Sequence, residues 1–93
     1  MKVSTIVIQF PSDEADRLLD CLRVKARPFG IGFSRVLDFA VEADGGTDIQ
    51  VTDQSDSVPD LSAFLIDQLD ECGREAELDW REHLRVVRPA SLP

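Results

Sequence analysis

Carboxylates dominate the middle of this chain, and they are the groups best placed to do chemistry. Thirteen acidic side chains and one arginine lie between Asp38 and Asp79, and the segments on either side are weakly basic. The whole chain of 93 residues carries a formal charge of -8. So concentrated a field opposes compaction by self-repulsion, but it would steer and hold a basic partner. The pattern predicts partner binding through six acids: Asp44, Asp48, Asp67, Asp70, Glu71 and Glu75.

Groups suited to catalysis, cofactor binding or metal binding are scarce. His83 is the single histidine, and its sequence neighbours assemble no pair of nucleophile and base. The glycine pair Gly30 and Gly32 is too short for a phosphate-binding loop. The acids of residues 44–56 lack the order of an EF-hand calcium loop. We therefore predict no enzymatic activity, no cofactor and no metal site.

The length of the chain predicts one small domain over residues 1–88, followed by a C-terminal tail over residues 89–93. No apolar run approaches the roughly 20 residues that a membrane helix needs. The N-terminus lacks the pattern of a signal peptide, which predicts a cytoplasmic protein without membrane contact. In that compartment we expect Cys21 and Cys72 to be reduced, buried thiols rather than a disulfide.

A strand and a helix are predicted in the first third of the chain. From Val3 to Phe10, apolar residues alternate with more polar ones, as in a strand with one buried face. Ser12 is a suitable N-cap for a helix over about residues 13–26. Its apolar stripe has helical spacing and comprises Ala15, Leu18, Leu19, Leu22 and Ala26.

Residues 31–53 have two interpretations. Alternation of apolar and polar residues over Phe33 to Ala43 and again over Thr47 to Asp53 predicts a β-hairpin with an Asp-Gly type turn at 44–46. Phe39, Val41, Ile49 and Val51 would then face the helices. Alternatively, Ser34 caps a helix that ends at Gly45.

In the helical interpretation, the segments Ile6 to Pro11 and Ser34 to Ala43 loosely resemble a ribbon-helix-helix DNA-binding protein. The resemblance covers at most half the chain. It implies an intertwined dimer that pairs its first strands and directs Thr5, Val7 and Gln9 into the major groove.

A second amphipathic helix is predicted from about residue 60, with Ser57 as its cap and proline in its first turn. Its stripe comprises Leu61, Phe64, Leu65, Leu69, Cys72 and Ala76. Past Glu77, the residues either continue this helix or form a short edge strand around Arg85. A helix of that length would outrun so small a domain, so we predict the strand.

The resulting order, βαββαβ, predicts an α+β domain of the split βαβ or ferredoxin-like type, with two helices on one face of an antiparallel sheet. The acidic charge favours an interaction protein that binds a basic partner protein, such as an inhibitor, an immunity protein or a nucleic-acid mimic. It opposes direct binding of nucleic acid, whose phosphates need lysine and arginine. The alternatives are a ribbon-helix-helix regulator, or a small dimeric ferredoxin-like ligand-binding domain or enzyme, and a homodimer stays open in either case.

Overall fold

The computed structural model describes residues 1–9, 12–36 and 47–87. The strands are β1 (Lys2–Ile8), β2 (Ile31–Val36), β3 (Thr47–Asp53) and β4 (Leu84–Val87). The helices are α1 (Asp13–Ala26) and α2 (Leu61–Ala76), and single 3-10 turns span Arg27–Phe29 and Trp80–Glu82.

The four strands form one antiparallel sheet in the order β2-β3-β1-β4, and both helices pack on one face of it. This is the predicted ferredoxin-like arrangement. The short strand β4 confirms the choice of a strand over a continued helix after Glu77.

The core lies between the sheet and the helices. Ile6 and Ile8 of β1 are buried, as their alternation predicts. Ser4 shares that face and is fully buried, so its hydroxyl needs partners. It donates to the carbonyl oxygen of Val87 (3.0 Å) and accepts from the hydroxyl of Ser62 (3.1 Å), which ties α2 to the sheet.

Helix α1 forms as predicted. The hydroxyl of Ser12 accepts from the backbone N–H of Ala15 at 3.2 Å, and the predicted apolar stripe is buried. The sequence after the helix then turns at Gly30, whose φ of 70° is the left-handed conformation that favours glycine.

Strands β2 and β3 pair as an antiparallel hairpin, which confirms the prediction for Phe33 to Val36 and for Thr47 to Asp53. Ile49 and Val51 face the helices and are buried. The register sets Val36 opposite Asp48. The predicted turn at 44–46, together with Phe39 and Val41, lies outside the described residues.

The ribbon-helix-helix alternative is wrong for two reasons. Ser34 and its two successors lie in strand β2 instead of starting a helix. Strand β1 is hydrogen-bonded on both sides, to β3 and to β4 of the same chain. Residues 5–8 of β1 therefore have no free edge for the first strand of a second subunit.

The cap of α2 differs from the prediction. Asp60, not Ser57, caps the helix, because its carboxylate accepts from the backbone N–H of Ala63 at 3.2 Å. The hydroxyl of Ser57 instead donates to the carbonyl oxygen of Phe29 at 2.7 Å. The helix ends at Glu77, which adopts the left-handed conformation with φ of 56°.

The prediction of two free thiols is wrong, because Cys21 of α1 and Cys72 of α2 form a disulfide. The two helices are neighbours on the same face of the sheet, and the two Cα atoms lie 6.0 Å apart. This spacing is typical of disulfides. Sequence spacing alone does not show that the two cysteines lie on facing turns.

Candidate functional site

The exposed side of α2 carries four of the predicted binding acids. Asp67, Glu71 and Glu75 recur every four residues and are exposed, whereas Asp70 is half-buried toward the C-terminal segment. The structure brings these four together on one helix. It also shows that they differ in their neighbours.

Two of the four acids pair with the other helix. The Lys25 ammonium of α1 lies 3.6 Å from a carboxylate oxygen of Glu71 and 3.3 Å from one of Glu75. Arg74 lines the same cleft. With two cations beside two carboxylates, this part of the surface is close to neutral and offers little to a basic partner.

Asp70 holds the C-terminal segment in place. One carboxylate oxygen accepts from the indole Nε1 of Trp80 at 2.7 Å and lies 3.3 Å from a guanidinium nitrogen of Arg81. The hydrogen bond from Trp80 and the charge of Arg81 lower the pKa of Asp70, although partial burial opposes them. The Arg81 guanidinium also lies over the Trp80 ring, 4.4 Å from its centroid. The main role of Asp70 is thus to hold Trp80 and Arg81 against helix α2.

Asp67 stands apart from these pairs. No ion pair or hydrogen bond joins its exposed side chain to any other described residue. It lies on the rim of a shallow groove of about 290 Å³. The groove is lined mainly by apolar side chains, with an acid at either end: Val58, Pro59, Asp60, Ala63, Phe64 and Asp67.

An aromatic pair extends this apolar surface. Phe29 contacts Phe64 edge to face, with ring centroids 4.9 Å apart. Phe29 is nevertheless 41% exposed, which is unusual for a side chain of this size. The groove and the two rings together form one patch, which we call the α2 groove: Phe29, Val58, Pro59, Ala63, Phe64 and Asp67.

The loop that forms one wall of the α2 groove is held by a buried acid. Asp53 is fully buried, and its two carboxylate oxygens accept from the backbone N–H groups of Ser57 and Val58, each at 3.1 Å. Burial would raise the pKa of Asp53, but these two donors and the charge of Lys2 lower it below its ordinary value. Asp53 therefore fixes the position of Val58 in the groove.

The same loop is tied to the N-terminus. Asp56 accepts from the N-terminal ammonium and from Lys2, each at 3.1 Å, and these contacts lower its pKa. The sequence analysis missed the roles of Asp53 and Asp56. The sequence does contain a signal for the role of Asp53, because Ser57 and Val58 follow it closely along the chain. Aspartate commonly accepts hydrogen bonds from backbone N–H groups a few residues onward.

The remaining predicted binding acids are not part of the α2 groove. Asp48 lies on β3, and the alternation with buried Ile49 directs it to the sheet face opposite the helices. Asp44 lies outside the described residues. Among the described residues, no group of three or more histidine, cysteine or acidic side chains is arranged to hold a metal ion. No helix among them is long and apolar enough to cross a membrane.

Comparison with known proteins gives no family for this chain. No protein-family model matches the sequence, and no curated protein is significantly similar to it.

Proposed function

We propose that this protein is a small acidic interaction protein that binds a basic surface of a partner protein, as an inhibitor, an immunity protein or a nucleic-acid mimic does. The observation that carries the proposal is the exposed carboxylate of Asp67, which pairs with none of the described residues and lies on the rim of the α2 groove. The groove supplies apolar surface, and burial of apolar surface is the main favourable contribution to the free energy of most protein association. Asp67 supplies the charge that selects a basic partner.

The partner chemistry follows from this pairing of groove and acid. A leucine or phenylalanine side chain would fill the groove, and an adjacent arginine or lysine would reach Asp67. Apolar anchors in pockets carry most of the affinity at interfaces, and charges around them act on specificity and association rate. The charge of -8 on the whole chain adds long-range attraction for the same partner.

Of the other predicted acids, Glu71 and Glu75 contribute to the long-range field more than to direct contact, because Lys25 already pairs with both. Asp70 contributes least, since its carboxylate is engaged by Trp80.

The test uses a short peptide in which one leucine is flanked by arginines, titrated into the isotopically labelled protein. We expect chemical-shift changes centred on Val58, Ala63 and Asp67, and we expect binding to weaken as salt shortens the Debye length. Asp67→Lys should reduce affinity about tenfold, as loss of a directly contacting charge does.

Glu71→Lys is the matched control, since it makes the same change in net charge one helical turn away. It should weaken binding less than Asp67→Lys, because Glu71 lies outside the α2 groove and its carboxylate already faces Lys25. Equal effects of the two substitutions, or no binding of the peptide at low salt, would contradict the proposal.

The protein binds its partner without catalysis and without direct contact with nucleic acid. Sub-micromolar binding to a duplex or single strand at about 150 mM salt would contradict the second statement, since a strongly acidic chain repels phosphate. The disulfide between Cys21 and Cys72 favours an oxidising compartment over the predicted cytoplasm, because cytosolic thiols are kept reduced.

A further inference from the structure

The face of the sheet opposite the helices differs in charge from the rest of the molecule. The described side chains directed to it are, by strand, Val3, Thr5 and Val7 of β1, Ser34 of β2, Asp48, Gln50 and Thr52 of β3, and Arg85 and Val87 of β4. They include one acid and one base. The described part of this face is therefore neutral in a chain whose net charge is -8.

Neutrality decides which partner this face can accept. Two copies of an acidic chain repel each other wherever their acidic surfaces approach. A neutral face removes that barrier. Its valines also leave apolar surface partly uncovered, and Val87 is 38% exposed. A second copy of the chain is thus a better occupant than a basic partner, for which the described part of the face offers one carboxylate.

The two charged residues lie in one row across the sheet. Asp48 is the register partner of Val7, and Val7 is the register partner of Arg85. Asp48 and Arg85 therefore stand on the same face on opposite sides of β1, two strand spacings apart, or about 9.6 Å. No ion pair joins either side chain to another described residue.

The row of Asp48, Val7 and Arg85 is complementary in charge to the same row of a second copy that is related to it by a two-fold axis. If two sheets pack face to face about a two-fold axis that runs along β1, the β3 side of one copy lies over the β4 side of the other. Asp48 of each copy then faces Arg85 of its mate, and Val7 faces Val7. Packed sheets lie about 10 Å apart, a gap that an arginine and an aspartate can bridge together. A two-fold interface of this kind repeats each contact twice.

We propose that the protein forms a homodimer through this open sheet face, with two reciprocal ion pairs between Asp48 and Arg85 beside a central contact of Val7 with its symmetry mate. The α2 groove lies on the opposite side of the molecule and stays accessible. The inference is thus independent of the proposed function.

Charge reversal in sedimentation equilibrium tests the proposal. The wild-type chain should show a monomer–dimer equilibrium. Arg85→Asp and Asp48→Arg should each raise the dissociation constant roughly a hundredfold or more, because each sets like charges against each other twice. Mixing the two variants in equal amounts should restore a dimer, now a heterodimer, because every facing pair is again opposite in charge.

Asp67→Arg, a charge reversal of the same size on the helical side, should leave the dimer unchanged. Circular dichroism should show native secondary structure in every variant. A wild-type chain that stays monomeric over the whole accessible concentration range would overturn the proposal. So would single variants that remain dimeric, or a mixture that does not recover.

Discussion

The two halves of α2 differ in what their acids do. In the C-terminal half, Asp70, Glu71 and Glu75 face cations or an indole N–H, and Cys72 is bonded to α1. In the N-terminal half, Asp67 has no such partner among the residues that the structure describes, and it borders an apolar groove. A run of acids on one helix therefore divides into carboxylates that hold the fold and one that is available to a partner. Changes in the first group should affect stability, and changes at Asp67 should affect binding.

The largest expected effect on stability is that of removing the disulfide in the C-terminal half of α2. Cys21 and Cys72 are 51 residues apart, so the bond closes a long loop in the unfolded chain. Its removal by Cys21→Ala should lower the free energy of unfolding by about 2–4 kcal/mol. Urea unfolding with and without a reducing agent measures the effect.

The variant itself is the control for this experiment. Reductant should destabilise the wild-type protein toward the level of Cys21→Ala and should leave Cys21→Ala unchanged. A wild-type protein that is insensitive to reductant, and that shows two alkylatable thiols by mass spectrometry when folded, would contradict the expectation.

The next effect concerns Gly73, which lies where α2 meets the following segment. A Cβ atom there would lie 2.7 Å from the carbonyl oxygen of Leu78, a backbone atom that cannot easily move. Gly73→Ala should thus cost about 1–3 kcal/mol, as overpacking does, although alanine is the better helix former.

Ala63→Gly, at an exposed position in the N-terminal half of the same helix, measures helix propensity and should cost about 1 kcal/mol. Denaturant unfolding of both variants gives the comparison. A Gly73→Ala protein more stable than the wild type would show that the close approach to Leu78 is absent.

How far the sequence could predict this division is clear from particular residues. Periodicity places Asp67, Asp70, Glu71 and Glu75 correctly on the outer side of a helix, because side-chain spacing is a local property. It does not show that Lys25 faces Glu71 and Glu75, or that Cys21 faces Cys72. Those contacts depend on how the two helices sit side by side. Alternation of apolar and polar residues, which is also a local property, was enough to predict that β2 pairs with β3. It was not enough to predict the register that sets Val36 opposite Asp48.

A smaller effect, which tests the structural role of Asp70, is the dependence of stability on pH. The pKa of Asp70 is lowered from its ordinary value of 3.8, as are those of Asp53 and Asp56. Carboxylates of this kind contribute their full stability above the unfolded pKa. That contribution is lost as the pH falls from about 3.8 through the lower pKa of the folded state.

Urea unfolding over a pH series should accordingly show stability that falls steeply with acid in this range. Asp70→Asn cannot titrate, so it should be less stable than the wild type near neutral pH and should lose less stability on acidification. Identical acid profiles for the two proteins would mean that Trp80 and Arg81 do not hold the ionised carboxylate.

The smallest effect should be a gain in stability at Glu77, the residue that caps the C-terminal end of α2. Glu77 has a φ of 56°, a conformation that costs an ordinary residue about 1 kcal/mol and glycine almost nothing. The conformation is required here, because the N–H of Leu78 donates to the carbonyl oxygen of Gly73 (2.8 Å) and that of Glu77 to the carbonyl oxygen of Arg74 (3.4 Å). Glu77→Gly should therefore stabilise the protein by about 0.5–1 kcal/mol, which thermal unfolding would detect as a rise of a few degrees. Glu77→Gln separates the two causes, since it removes the charge from the negative end of the helix but keeps the backbone cost. If the glutamine variant gains as much stability as the glycine variant, the charge of Glu77 at the helix end, and not its backbone conformation, limits stability there. Acids that are not paired with Lys25 would then destabilise the fold.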